Sequence, residues 1–158
     1  MEKLSASRRL LAVLAGGFCG TIARYSLSLL IQSHMGKGWP YDIFVINITG
    51  ALLFAFVTAL ADEARLIGPT RRLFITVGFL GAYTTFSSLA LGDVLLATAG
   101  QWLSALTYLL SSLFGGLLAV PLGDMLGSWV VFQLRTTFAV QSQPQPVEKR
   151  TGNLTSPL

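Results

Sequence analysis

The stretch GFLGAYTTFSSL, Gly78 to Leu89, decides how this chain reads. It lies in an apolar block from Leu73 to about Thr98, long enough to cross a bilayer as a helix. Gly81 weakens that helix near mid-membrane, and the hydroxyl residues Thr84, Thr85, Ser87 and Ser88 follow. A helix broken there frees backbone carbonyls, which lipid forbids unless they face protein, water or a bound ion. Coordination of a cation at the break is one solution. The hydroxyls have two readings. Thr84, Thr85 and Ser88, at i,i+3 and i,i+4 spacing, line one helix face; alternatively, each bonds back to a carbonyl one turn earlier and does nothing more.

Three more apolar blocks flank this one: Leu10 to Ile31, Ile43 to Ala61 and Leu103 to Gly123. Between them lie a turn, HMGKGWPYD from His34 to Asp42, the charged loop DEARLIGPTRR from Asp62 to Arg72, and a short turn at Gly100 to Trp102. Of 158 residues 53% are hydrophobic and 11% charged, with a mean hydropathy of +0.64. A soluble domain carries about 25% charged residues, so a soluble enzyme is excluded. Lys3, Arg8 and Arg9 resemble the start of a signal peptide, but the block after them has spanning length and no small-x-small cleavage site. It reads as a retained first helix. The expected fold is an all-α membrane protein with four transmembrane helices, the third broken near mid-membrane. Residues 1–130 form the transmembrane domain, and 131–158, with Pro144, Pro146 and Pro157, form a polar, disordered cytoplasmic tail.

Four crossings place both termini and the middle loop on one side. That side carries Lys3, Arg8, Arg9, Arg65, Arg71, Arg72 and Arg135, against Lys37 alone opposite. The positive-inside rule then puts both termini in the cytoplasm of a plasma membrane (a bacterial inner membrane), and accounts for the net charge of +4 without nucleic acid. Small residues recur at four-residue spacing in Gly16/Gly20, Gly78/Ala82 and Gly115/Ala119/Gly123, which suits close packing of helices within or between chains.

Acid–base and nucleophilic chemistry are not expected. No His lies in a span, Cys19 is the only cysteine, and no spacing suggests a metal-ligand cluster. A proton-coupled exporter of the small multidrug type shares the length and helix count but needs an embedded carboxylate, and only Asp93, near a helix end, comes close. The spans offer neutral donors instead: Asn47, Thr84, Thr85, Ser87, Ser88, Ser111 and Ser112. Such groups suit an ion that sheds water and must leave again. Phe86 either packs or turns its electropositive ring edge to a small anion. Arg24, inside the first block, snorkels, pairs or lines a wet vestibule.

The chain resembles the fluoride-specific ion channel family, known as CrcB or Fluc. The likeness rests on three motifs in order: GGFCGTIARY at Gly16–Tyr25, VINITG at Val45–Gly50 and GFLGAYTTFS at Gly78–Ser87. It implies a passive channel that lets fluoride leave the cytoplasm, built as an antiparallel dimer around a structural sodium ion. By position it assigns the backbone carbonyls of Gly81 and Thr84 to sodium, and Asn47, Phe86, Thr85, Ser88, Ser112 and Arg24 to the fluoride pathway. Two departures stand out. The family's second phenylalanine is Leu89 here, and the charge bias argues for one orientation of insertion. Both leave open a homodimer or a heterodimer with an oppositely oriented homologue, in which this chain either conducts or only completes its partner's pores.

Overall fold

The computed structural model describes residues 5–63 and 67–141, and four helical segments in it are long and apolar enough to cross a membrane. α1 spans Ala6–Met35 and ends at Gly36, whose φ of 76° turns the chain while its N–H closes on the Gln32 carbonyl at 3.0 Å. Pro40 precedes α2, Tyr41–Glu63. The third crossing, Pro69–Thr98, is built from pieces. A first turn, α3 (Pro69–Arg72), leads into a π-helical segment, Leu73–Leu80, and then a last turn, α4 (Gly81–Tyr83). Two extended residues follow, and α5 (Phe86–Thr98) completes the crossing. Gly100, with φ 77°, makes the final turn into α6, Trp102–Gln141.

The break was expected at Gly81 and sits three residues later. Gly81 is helical at φ −64° and ψ −32°. Thr84 (ψ 155°) and Thr85 (φ −152°, ψ 120°) are the extended pair. Gly81 instead ends the π segment, its N–H reaching the Thr76 carbonyl five residues back. π-Helical turns are rare and concentrate at functional sites. A second difference concerns α6. Nothing after Asp124 stops a helix, since Val130, Val131, Phe132 and Leu134 continue the apolar pattern, and α6 runs on to Gln141. The expected boundary at residue 130 therefore falls inside a helix, while 142–158 lie outside the described residues.

Two close-packed pairs organise the bundle: α1 on the π segment and α2 on α6, with α5 also against α6. Glycine sets both approaches. A Cβ on Gly16 would strike the Phe74 carbonyl and lie 2.9 Å from the Phe79 nitrogen; one on Gly20 would strike the Phe79 carbonyl. On α6, a Cβ on Gly123 would strike the Leu52 carbonyl, and one on Gly127 would lie 2.9 Å from the Phe56 carbonyl. In lipid, where apolar burial gives no drive for association, such backbone contact is the source of helix pairing. Between 17% and 28% of each span is buried within the chain, so most of the apolar surface faces lipid or another subunit.

The bundle ends are tied by polar contacts. Asp42, buried at the start of α2, accepts hydrogen bonds on Oδ2 from the Ser28 hydroxyl and, at 2.7 Å, from Gln32 Nε2. Trp39 packs edge-on against Tyr108 at 5.1 Å, over a small core of Leu96, Ala105 and Tyr108. At the other end Arg72 pairs with Asp62 at 2.6 Å, an exposed bridge worth at most about 1 kcal/mol.

The seam makes opposite demands on two glycines of one helix. Gly123→Ala should destabilise the protein by about 2–3 kcal/mol through collision with the Leu52 carbonyl. Gly116→Ala, with nothing within 4 Å, should instead gain up to about 1 kcal/mol of helix propensity. Thermal unfolding in detergent should move in opposite directions for the two.

Candidate functional site

The third crossing is broken at Thr84–Thr85, and α2 holds the broken ends. Asn47 Nδ2 donates to the Thr85 carbonyl at 3.0 Å, and the Thr85 N–H donates to Asn47 Oδ1 at 2.8 Å. The side-chain amide thus satisfies both polar groups of one extended residue. Gly50, one turn along α2, is buried, and a Cβ there would strike the Thr84 methyl and lie 3.2 Å from Tyr83 Cδ1. Between them Thr49 Oγ1 meets the Tyr83 hydroxyl at 3.0 Å. The NxTG spacing at Asn47–Gly50 acquires a physical meaning: an amide to bond the break, a hydroxyl to anchor Tyr83, and a bare backbone to admit Thr84.

The break redirects donors. In a continuous helix the Thr85 N–H would serve the Gly81 carbonyl and the Ser88 N–H the Thr84 carbonyl. Here the first goes to Asn47, and the second goes to Thr85 Oγ1 at 3.2 Å as the N-cap of α5. The carbonyls from Gly81 to Thr84 all lose their helical partners at the break; for Gly81 and Thr84 the donors are taken by Asn47 and by the Thr85 hydroxyl. Carbonyl oxygens freed in this way are hard neutral ligands that fit an alkali cation. Among the described residues no cluster of His, Cys, Asp and Glu is arranged to hold a metal through side chains.

The hydroxyls divide between both sequence readings, and they do not form one helical face. Thr84 Oγ1 bonds back to the Leu80 carbonyl at 3.0 Å. Thr85 Oγ1 caps α5, donates to Ser88 Oγ at 3.1 Å and lies 3.2 Å from Ser87 Oγ. Asn47, Gly81, Thr84, Thr85, Phe86 and Leu89 all line one groove of about 470 Å³. Phe86, the first residue of α5, is 81% exposed there. Asn47 retains one amide N–H beyond its two bonds to Thr85. Ser88 joins this set through Thr85, whereas Ser112 and Arg24 do not line the groove. Arg24, on α1, is half-buried and makes no ion pair among the described residues.

Ser112 belongs to a second polar group that sequence reading only half saw. Its buried Oγ has no hydrogen-bond partner among the described residues, and neither does the hydroxyl of Tyr108, one turn earlier on α6 and 0% exposed. Asp93 Oδ1 is likewise buried without a partner. The i,i+4 spacing of Tyr108 and Ser112 within the uncharged stretch Leu103 to Gly123 was the available signal. Ser111, by contrast, bonds back to the Tyr108 carbonyl at 3.2 Å.

Four apolar crossings, one interrupted beside an amide-braced groove and another carrying unpartnered buried hydroxyls, define a multi-pass membrane protein with polar groups held in its interior. The sequence matches the CrcB-like protein, Camphor Resistance (CrcB) family over residues 11–124, and the chain belongs to that family. It is similar to proteins named fluoride-specific ion channel FluC. That of Thermus thermophilus is 40% identical over 123 residues, covering 78% of this chain and 98% of the relative. That of Acidobacterium capsulatum is 40% identical over 119 residues (75% and 95%), and that of Chloroflexus aurantiacus 35% over 120 residues (76% and 95%).

If the amide holds the break, Asn47→Leu should cost about 1–3 kcal/mol, because the Thr85 N–H loses its acceptor and the Thr85 carbonyl keeps only its bond within α5. Thr85→Val should cost about 1 kcal/mol through loss of the α5 cap, and Thr85→Ser should retain it. Thermal unfolding of the purified variants gives the ranking, and an unchanged midpoint for Asn47→Leu would show that the break stands without the amide.

Proposed function

We propose that this chain is a fluoride-selective ion channel that lets fluoride leave the cytoplasm passively, without catalytic chemistry. The observation that carries this reading is the amide-braced break at Thr84–Thr85, in a chain 35–40% identical to proteins named for fluoride conduction. Fluoride is small and strongly hydrated, so a pathway must replace its water with donors that do not hold it as a fixed charge would. The remaining Asn47 N–H, the hydroxyls of Thr85 and Ser88, and the unpartnered hydroxyls of Tyr108 and Ser112 are neutral donors of that kind. The exposed Phe86 ring adds an electropositive edge where no hydroxyl reaches. Leu89, on the same groove, supplies bulk without that edge. Arg24 draws anions towards the pathway.

The working channel is a dimer of oppositely oriented chains in a bacterial inner membrane, with both termini of this chain cytoplasmic. The cation excess at the Arg8–Arg71 end supports that orientation. The Gly81 and Thr84 carbonyls would hold a structural sodium ion, which would supply the positive charge that balances carbonyls deprived of N–H donors.

Liposomes loaded with fluoride and carrying only this chain should release it, and liposomes loaded with chloride should not. Phe86→Ile should abolish the flux, and Leu89→Phe should preserve or raise it. Replacing sodium by N-methylglucamine in all buffers should lower flux or thermal stability. An unchanged rate for Phe86→Ile would take the ring out of the pathway, and absence of flux from the chain alone would require a different partner chain.

A further inference from the structure

A second groove, of about 520 Å³, opens between the start of α1 and the start of the third crossing, and nothing above uses it. Arg8 and Thr70 with Arg71 stand along it, and Leu11, Ala12, Phe74 and Ile75 floor it. We propose that this groove binds one anionic phospholipid, with its phosphate between the two guanidiniums and the upper part of an acyl chain on the floor.

The arrangement is the same on both walls. Arg8 is followed at i+3 and i+4 by Leu11 and Ala12, and Arg71 by Phe74 and Ile75, so each wall carries its cation one turn above its apolar pair. Both arginines are exposed and unpaired among the described residues; the ion pair of this end joins Asp62 to Arg72 instead. Among the described residues no carboxylate lines the groove. Two forked cations facing one cleft suit a phosphodiester, which accepts paired N–H bonds from each. The floor selects the source of that phosphate. Its Leu11 is 64% exposed in an apolar crossing, so a soluble phosphate would leave apolar surface open that an acyl chain covers. The site stands at the membrane boundary, where basic side chains meet headgroups and their stems lie along acyl chains.

The full-length chain, delipidated in detergent, can be titrated with phosphatidylglycerol or phosphatidylcholine and the bound lipid counted by native mass spectrometry. Phosphatidylglycerol should be retained in preference to phosphatidylcholine. Arg8→Gln and Arg71→Gln should each lower its retention about fivefold, the effect of removing one interfacial basic residue. Arg71→Lys should lose less. Arg9→Gln, which removes the same charge from a residue outside the groove, should leave retention unchanged. Equal retention of the two lipids would overturn the proposal, as would an Arg9→Gln loss as large as that of Arg8→Gln, or displacement of the lipid by glycerol 3-phosphate at equal concentration.

Discussion

A single side-chain amide keeps the third crossing in two pieces. Only asparagine or glutamine carries the donor and acceptor of a peptide group at the end of a side chain, so only they can pair with both polar groups of one extended residue. A carboxylate in place of Asn47 could accept from the Thr85 N–H but would have nothing to give its carbonyl. A hydroxyl is too short to do both. Without the amide, Thr85 would have to find its bonds within a continuous helix, and the carbonyls of Gly81 and Thr84 would be reclaimed with it. The groove, the α5 cap and the exposure of Phe86 all follow from that one exchange of hydrogen bonds.

How much of this could be read from the chain itself differs by level. The four crossings were plain, because apolar blocks of spanning length separated by charged or glycine-rich turns leave few alternatives. The glycine seams were legible too, whereas the pairing of Asn47 with Thr85 across 38 residues had no local signal. Nor was the position of the break legible. Glycine carries the local signal, yet the decisive bond comes from Asn47, 38 residues away, and it selects Thr85. The hydroxyl face dissolved for the same reason: helical spacing has no meaning across two extended residues. The π segment left no mark either, since LFITVGFL reads as any buried helix. Nothing in the sequence singled out Tyr108, although its side chain is fully buried in α6.

The two halves of the bundle divide the work. α2 and α6 close on each other through Gly123 and Gly127, which gives Asn47 a rigid mount. α1 closes on the π segment through Gly16 and Gly20, and this fixes the approach of the chain to the break from the other side. Backbone-to-backbone contact suits the task because it has no rotamers to adjust. An amide that must meet two targets at 2.8 and 3.0 Å tolerates little sliding of its support.

The widened turns of Leu73–Leu80 have an arithmetic of their own. Ordinary helical winding advances about 100° per residue, at about 3.6 residues per turn. Turns closed by i→i+5 bonds hold more residues and so advance each one by less. Deleting one amino acid from this segment and letting it relax to regular winding would therefore leave Thr85 near its present angle, whereas the same deletion with the wide turns kept would carry Thr85 away from Asn47. The run thus stores one residue more than regular winding needs, a slack that an ordinary helix lacks.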